Sequence, residues 1–201
     1  MTGSPIEFYY DFNSPYGYIG AHEIDALAAK HGRTVDWKPV LLGAIFKVTG
    51  AGPLPNFPLK GEYSKRDFAR SARYHKLELN YPDEHPFSPV AASRAVYWAK
   101  DQDAALAKKL TLALYDAVWV HSRSIAAPDA VADIAAEAGF DRDAVTAALN
   151  DPAVKQRLND EVEAAIGKGV FGSPFVIVDG EPFWGVDRFD MVEEWLETGG
   201  W

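Results

Sequence analysis

Hydrophobic and polar positions change rhythm several times along this chain, and each change marks an element. From Ile6 to Phe12 the residues are apolar and aromatic, which predicts a strand. From Pro15 to His31 the apolar positions fall at helical spacing. Pro15 is suited to the first turn and Gly32 stands just past the end. TVDWKPVLL, Thr34 to Leu42, alternates and predicts a second strand. Such a β-α-β opening makes two parallel neighbours with a right-handed crossover.

After Gly43 the rhythm is lost. GAIFKVTGAGPLPNFPLKGEY is rich in Gly and Pro and predicts an irregular segment, with one short helical turn near Phe46. Ser64-Lys65-Arg66-Asp67 has the form of a capping box and predicts a helix to about Leu77. NYPDEHPFSP is a second Pro-rich loop. Helical spacing then predicts helices over Val90–Lys100, Ala104–Val120, Pro128–Ala138, Arg142–Leu149 and Pro152–Lys168. Asp141, and Asp151 before Pro152, are suited to cap two of them. Strand character returns in PFVIVDGEPFWG, a hairpin of Phe175–Val178 and Glu181–Trp184 turning at Asp179-Gly180. A final amphipathic helix covers Arg188 to Leu196.

The order is β-α-β, a long helical block, then β-β-α. Without the block, a four-stranded sheet with two helices remains, which is the thioredoxin arrangement. The expected fold class is therefore α/β: a thioredoxin-like fold with a large all-helical insertion. Residues 1–42 and 167–201 would form the sheet domain, and residues 43–166 the helical one.

Composition narrows the function classes. With 48% apolar residues in a chain of 201, a packed core is expected. Net charge is −9 and Lys and Arg form no runs, which disfavours nucleic acid. There are no cysteines, so disulfides, thiolate metal sites and a redox thiol of the protein's own are excluded. No metal site is expected. No apolar run approaches a membrane span, and the N-terminus lacks the regions of a signal peptide, so a soluble cytoplasmic protein is expected.

The candidate chemistry lies where the first strand hands over to the first helix. Redox proteins of this arrangement place Cys-x-x-Cys there, at a helix N-terminus that favours negative charge. This chain has Ser14-Pro15-Tyr16-Gly17. Ser14 can cap the helix, or it can donate a hydrogen bond to a thiolate brought by a ligand. A proline directly before a strand predicts a cis peptide at Ser173-Pro174, whose backbone can pair with an extended peptide-like ligand. Asp187 and Arg188 open the last helix and match the two charges of an α-amino acid end. Glutathione answers all three elements. Each element also has a plain reading: a helix cap at Ser14, a trans turn at Ser173-Pro174, and a cap with a solvated neighbour at Asp187-Arg188. Their order along the chain favours the joint reading. An elbow serine of the hydrolase type is disfavoured, because Phe12 stands where Gly-x-Ser-x-Gly needs glycine.

The motifs YYDFNSPYGYIGAHEI, VDWKPVLLGAIFKVTG, PLKGEYSKRDFARSA, HPFSPVAASRA and VFGSPFVIVDGEPFWGVDR resemble the 2-hydroxychromene-2-carboxylate isomerase family, kin of kappa-class glutathione transferases. The resemblance covers essentially the whole chain. It implies glutathione as cofactor and Ser14 as the residue that activates its thiol. It implies Ser173 with Pro174 at the cysteinyl part, Asp187 and Arg188 at the γ-glutamyl end, and Lys60 at the glycine carboxylate. Lys47 is implied near glutathione or substrate. For an aromatic carboxylate substrate the candidates are Lys47, Lys60, Tyr16, Phe46, Phe87 and Trp184, with His85 able to polarise a carbonyl. Relatives usually carry Gly-Asn where this chain has Gly50-Ala51, so one amide is missing, and Asn56 is a nearby amide able to compensate. Ser88 stands where Asn is common. The implied activity is the interconversion of 2-hydroxychromene-2-carboxylate and trans-o-hydroxybenzylidenepyruvate, in a homodimer. A glutathione transferase or peroxidase acting on another electrophile, and a non-catalytic thioredoxin-like module, are the rival readings.

Overall fold

The computed structural model describes residues 3–201. A four-stranded sheet has the order β2-β1-β3-β4, with β1 Ile6–Tyr10, β2 Val35–Pro39, β3 Phe175–Val178 and β4 Glu181–Trp184. β1 runs parallel to β2, with Phe8 opposite Trp37, and antiparallel to β3, with Phe8 opposite Val176. β3 and β4 form the predicted hairpin, Phe175 opposite Trp184. Alternation decides which face each residue takes. Ile6, Phe8 and Tyr10 join the main core, whereas Tyr9, Phe175 and Ile177 pack on the other side of the sheet. The observed order is the thioredoxin-like one, interrupted by helices.

Helix α1, Pro15–Lys30, follows β1. Helices α2 Leu42–Thr49, α3 Lys60–Tyr74, α4 Val90–Lys100, α5 Ala104–Trp119, α6 Pro128–Glu137, α7 Arg142–Asn150 and α8 Pro152–Gly167 come between β2 and β3. α9, Phe189–Thr198, closes the chain after a single 3-10 turn at Val186–Arg188. Asp141 accepts from the Ala144 N–H and Asp151 from the Ala153 N–H, as capping residues should. The main core is continuous from the sheet into the helical block: Phe8, Tyr10, Phe12, Tyr115 and Trp119 belong to one buried cluster with Leu114 and Val131.

Three expectations need correction. The helical turn expected near Phe46 is longer than one turn: α2 is a full two-turn helix, ended by Gly50 at φ 73°, and the irregular stretch is confined to residues 50–59, with one 3-10 turn at Leu54–Asn56. The N-cap residue of α2, Leu41, offers no capping side chain. The oxygen that caps it belongs to Asp11, whose Oδ2 accepts from the Leu42 N–H at 2.6 Å. A partner 31 positions away leaves no local signal. Ser64 does not open a helix either. α3 begins four residues earlier, and the buried Ser64 hydroxyl donates back to the Gly61 carbonyl at 2.8 Å. Gly61 permits this start because any Cβ there would collide with the Pro55 carbonyl. Asp187 and Arg188 lie in the 3-10 turn that precedes α9 rather than in its first turn.

Candidate active site

Ser14 is the N-cap of α1, in an extended conformation that suits the position. Its Oγ accepts from the Gly17 N–H at 2.9 Å and donates to the Ser173 carbonyl at 2.8 Å. One hydroxyl therefore joins the end of β1 to the loop before β3. Ser14 is only 6% exposed, and its hydroxyl lies at the positive end of a 16-residue helix. The Ser173-Pro174 peptide is cis, as the sequence order predicts. The Ser173 N–H has no hydrogen-bond partner among the described residues, and its Oγ accepts from the Asp11 N–H at 2.9 Å.

The loop between β1 and α1 is held from above by the helical block. The Asp11 carbonyl accepts from the Tyr115 hydroxyl at 3.0 Å and the Phe12 carbonyl from Trp119 Nε1 at 3.0 Å. The Asn13 carbonyl accepts from His85 Nε2 at 2.8 Å. The Asn13 amide also pairs both ways with Phe87, donating to its carbonyl and accepting from its N–H, each at 2.9 Å. Three successive carbonyls are thus satisfied by donors from α5 and the 81–89 loop, which leaves Ser14 little freedom to move.

A cleft of about 1690 Å³ opens over this junction. Ser14, Ser173, Lys47, Lys60, Trp184, Asp187, Arg188, Phe46, Phe87, His85 and Tyr16 all line it. Asp187 and Arg188 pair with each other, Oδ2 to Nη1 at 3.0 Å. Trp184 lies across Gly172, where any Cβ would meet the indole. It packs edge-on to Phe171, ring centroids 4.9 Å apart. Tyr16 donates to the Asp67 carboxylate, which also takes Arg70. Burial first, then that carboxylate, push the Tyr16 phenol up. It is therefore poorly suited to ionise.

Three predicted residues are placed differently. Asn56 closes a 3-10 turn at Leu54–Asn56 and does not line the cleft, although Leu54, Pro55 and Phe57 do. Pro174 is buried away from the cleft, beside Gly20 of α1, and contributes only its peptide geometry. His85 has no nitrogen to offer a substrate carbonyl. Nε2 must carry the hydrogen it gives to Asn13, so Nδ1 accepts from the Tyr81 hydroxyl at 2.7 Å. Burial holds the ring below its ordinary pKa, consistent with that neutral form. Asn13 and Phe171 were missed. Asn13 had one readable signal, a bifunctional amide next to Ser14. Phe171 had none beyond its place near Ser173.

Comparison with known proteins places the chain. A family model described as a DSBA-like thioredoxin domain matches residues 5–197. The chain is 28% identical to the 2-hydroxychromene-2-carboxylate isomerase of Sphingobium xenophagum, over 95% of this chain and 97% of that protein. It is 24% identical to human glutathione S-transferase kappa 1, over 95% and 92% respectively. A solved structure of a 2-hydroxychromene-2-carboxylate isomerase superposes with a TM-score of 0.86 at 26% identity, covering 96% of this chain and 94% of that one. The chain belongs to the DSBA-like thioredoxin family, and its similar proteins include 2-hydroxychromene-2-carboxylate isomerases and kappa-class glutathione transferases.

Proposed function

We propose that this protein is a glutathione-dependent isomerase that interconverts 2-hydroxychromene-2-carboxylate and trans-o-hydroxybenzylidenepyruvate. The observation that carries the reading is the Ser14 hydroxyl at the N-terminus of α1, beside a Ser173 N–H without a partner among the described residues. It stands in a chain with no cysteine of its own. The relatives named for this reaction support it.

When bound, glutathione would supply a thiolate: once the hemiketal ring opens by loss of its C–O bond, the hydroxyl proton passing to the phenol oxygen, reversible addition of the sulfur to the conjugated double bond would let it turn as a single bond and re-form as the thiolate leaves. A free thiol of pKa about 8.5 is only a few per cent ionised at neutral pH. Lowering it by ~2 units needs roughly 2.7 kcal/mol of preference for the anion. One hydrogen bond from Ser14 to a charged group contributes roughly 1.5–3 kcal/mol. The helix N-terminus adds about 0.3–1 kcal/mol. Together they reach the required size. To act, Ser14 turns its hydrogen from the Ser173 carbonyl toward the sulfur and goes on accepting from Gly17. The released Ser173 carbonyl and its N–H then form the edge on which a cysteinyl backbone pairs. Lys60 takes the glycine carboxylate, and Asp187 with Arg188 the γ-glutamyl amino and carboxylate groups. Lys47 stands where glutathione and the aromatic carboxylate meet and serves both, Phe46 and Phe87 hold the substrate ring, and Trp184 walls the cleft beside Ser173. His85 holds Asn13 in place and does not touch substrate.

The assay is turnover of 2-hydroxychromene-2-carboxylate with and without glutathione. Turnover that needs glutathione supports the reading, and equal rates in both arms reject it. The kappa-class relatives favour one second reading, transfer of glutathione to another electrophile. It predicts stable glutathione conjugates where the isomerase releases glutathione unchanged.

A further inference from the structure

Asp11 is completely buried, and the thiol chemistry above makes no use of its side chain. Its Oδ1 accepts from the Asn13 N–H at 2.7 Å, and its Oδ2 from the Leu42 N–H at 2.6 Å. Its backbone is engaged as well. The N–H donates to Ser173 Oγ at 2.9 Å, and the carbonyl accepts from the Ser14 N–H at 2.9 Å. The three segments tied together carry Ser14, Ser173, and the Phe46-Lys47 face of α2, and all of these line the cleft. Leu41 supplies no cap to α2, so the Asp11 carboxylate is the side chain that fixes where this helix begins.

We propose that Asp11 is a positioning residue of the thiol site: its carboxylate caps α2 at long range and thereby sets Phe46 and Lys47 at a fixed offset from Ser14. The bond itself does not depend on the glutathione reading, but what it positions does. Both carboxylate oxygens are in use, so an amide cannot replace it; one N–H would face an NH2 group. Burial pushes the Asp11 acid up to about 6, while the Leu42 and Asn13 N–H groups draw it down. At neutral pH it is therefore mostly ionised and accepts on both sides.

Two substitutions break the link from opposite ends. Asp11→Ala removes both acceptors. Leu42→Pro removes the donor and leaves Asp11 intact. Proline is tolerated at a first helical position, and Leu41 is already extended, φ −113° and ψ 100°, as the residue before proline must be. Leu42→Ala controls for the lost side chain. Amide exchange at Leu42 should accelerate about tenfold or more in Asp11→Ala. Calorimetry should show glutathione binding about tenfold weaker in Leu42→Pro than in Leu42→Ala. In turnover the loss should fall on KM rather than kcat, because Ser14 keeps both of its bonds. If Asp11→Ala does not fold, the proline and alanine pair at Leu42 decides alone. Equal glutathione affinity in that pair overturns the positioning role, and unchanged Leu42 exchange in folded Asp11→Ala overturns the cap. A wild-type protein that does not bind glutathione rejects the functional reading instead, and Leu42 exchange still decides whether Asp11 caps α2.

Discussion

Ser14 shows how much one hydroxyl can be asked to do. It accepts from Gly17 as the helix cap and gives its hydrogen to the Ser173 carbonyl, so the cap is observed and the ligand-directed donor belongs to the proposed mechanism. Ser14→Ala removes both bonds. It should cost about 1 kcal/mol of stability through the lost cap. It should also lower glutathione-dependent turnover roughly 10- to 100-fold through the lost donor, as steady-state kinetics and urea unfolding would show. Turnover within twofold of wild type would remove Ser14 from the mechanism. His85 gives a second residue-scale test. Burial depresses its folded pKa below the ordinary value of about 6.5. The unfolded chain therefore takes up that proton first as pH falls, so the contribution is complete above about pH 6.5 and is lost toward the folded value. Urea stability of wild type should drop more between pH 7.5 and 5.5 than that of His85→Gln, whose amide can still donate to Asn13. Parallel curves would show that the ring is not held neutral.

At the scale of elements, the junction between β1 and α1 is built by neighbours that lie far away in sequence. Tyr115 and Trp119 come from α5, His85 from a Pro-rich loop, and Ser173 from the loop before β3. α1 itself sits tightly on this frame. A Cβ at Gly17 would lie 2.6 Å from the Tyr115 hydroxyl and 2.7 Å from Ser173 Oγ, too close for any real carbon. Gly17→Ala thus sets about 1 kcal/mol of improved helix propensity against roughly 1–3 kcal/mol of overpacking. We expect a net loss near ~1 kcal/mol with weakened glutathione binding. A raised urea midpoint would mean that Tyr115 and Ser173 yield freely. The same frame explains why β1, α1 and the β3–β4 hairpin were legible in full and α2 only as one turn near Phe46. The former carry their signals locally, in alternation, in Pro15 and in Asp179-Gly180. The latter takes its cap from Asp11, and a segment so rich in Gly and Pro looks irregular until that partner is in place. The start of α3 was obscured in the same way by the approach of Gly61 to Pro55.

For the whole molecule, the consequence is shared stability. The main core passes without a break from Ile6, Phe8 and Tyr10 through Tyr115 and Trp119 to Val131 and Val145. A sheet and a helical block that share a core should not melt apart. Far-UV circular dichroism and tryptophan fluorescence should give one coincident urea transition. Two separated transitions would instead mark residues 43–166 as an independently stable unit. The cleft adds a second feature of this scale. In a chain of net charge −9 the cleft lining is balanced, with Lys47, Lys60, Arg70 and Arg188 against Glu23, Asp67, Asp187 and Asp190, so average charge said little about the ligand.

The sequence by itself determined the strand and helix order, the parallel opening, the hairpin, and the absence of any thiol the protein could use alone. These are local or compositional properties, written in periodicity and in residue counts. Only the tertiary structure decided that Asn56 and Pro174 stand away from the cleft and that both nitrogens of His85 are taken. It alone decided that α2 starts where Asp11 can reach it. Each of these depends on a hydrogen bond or a close approach between residues distant in the chain. Periodicity reports which face of an element is buried, and it carries no record of which distant atom waits there.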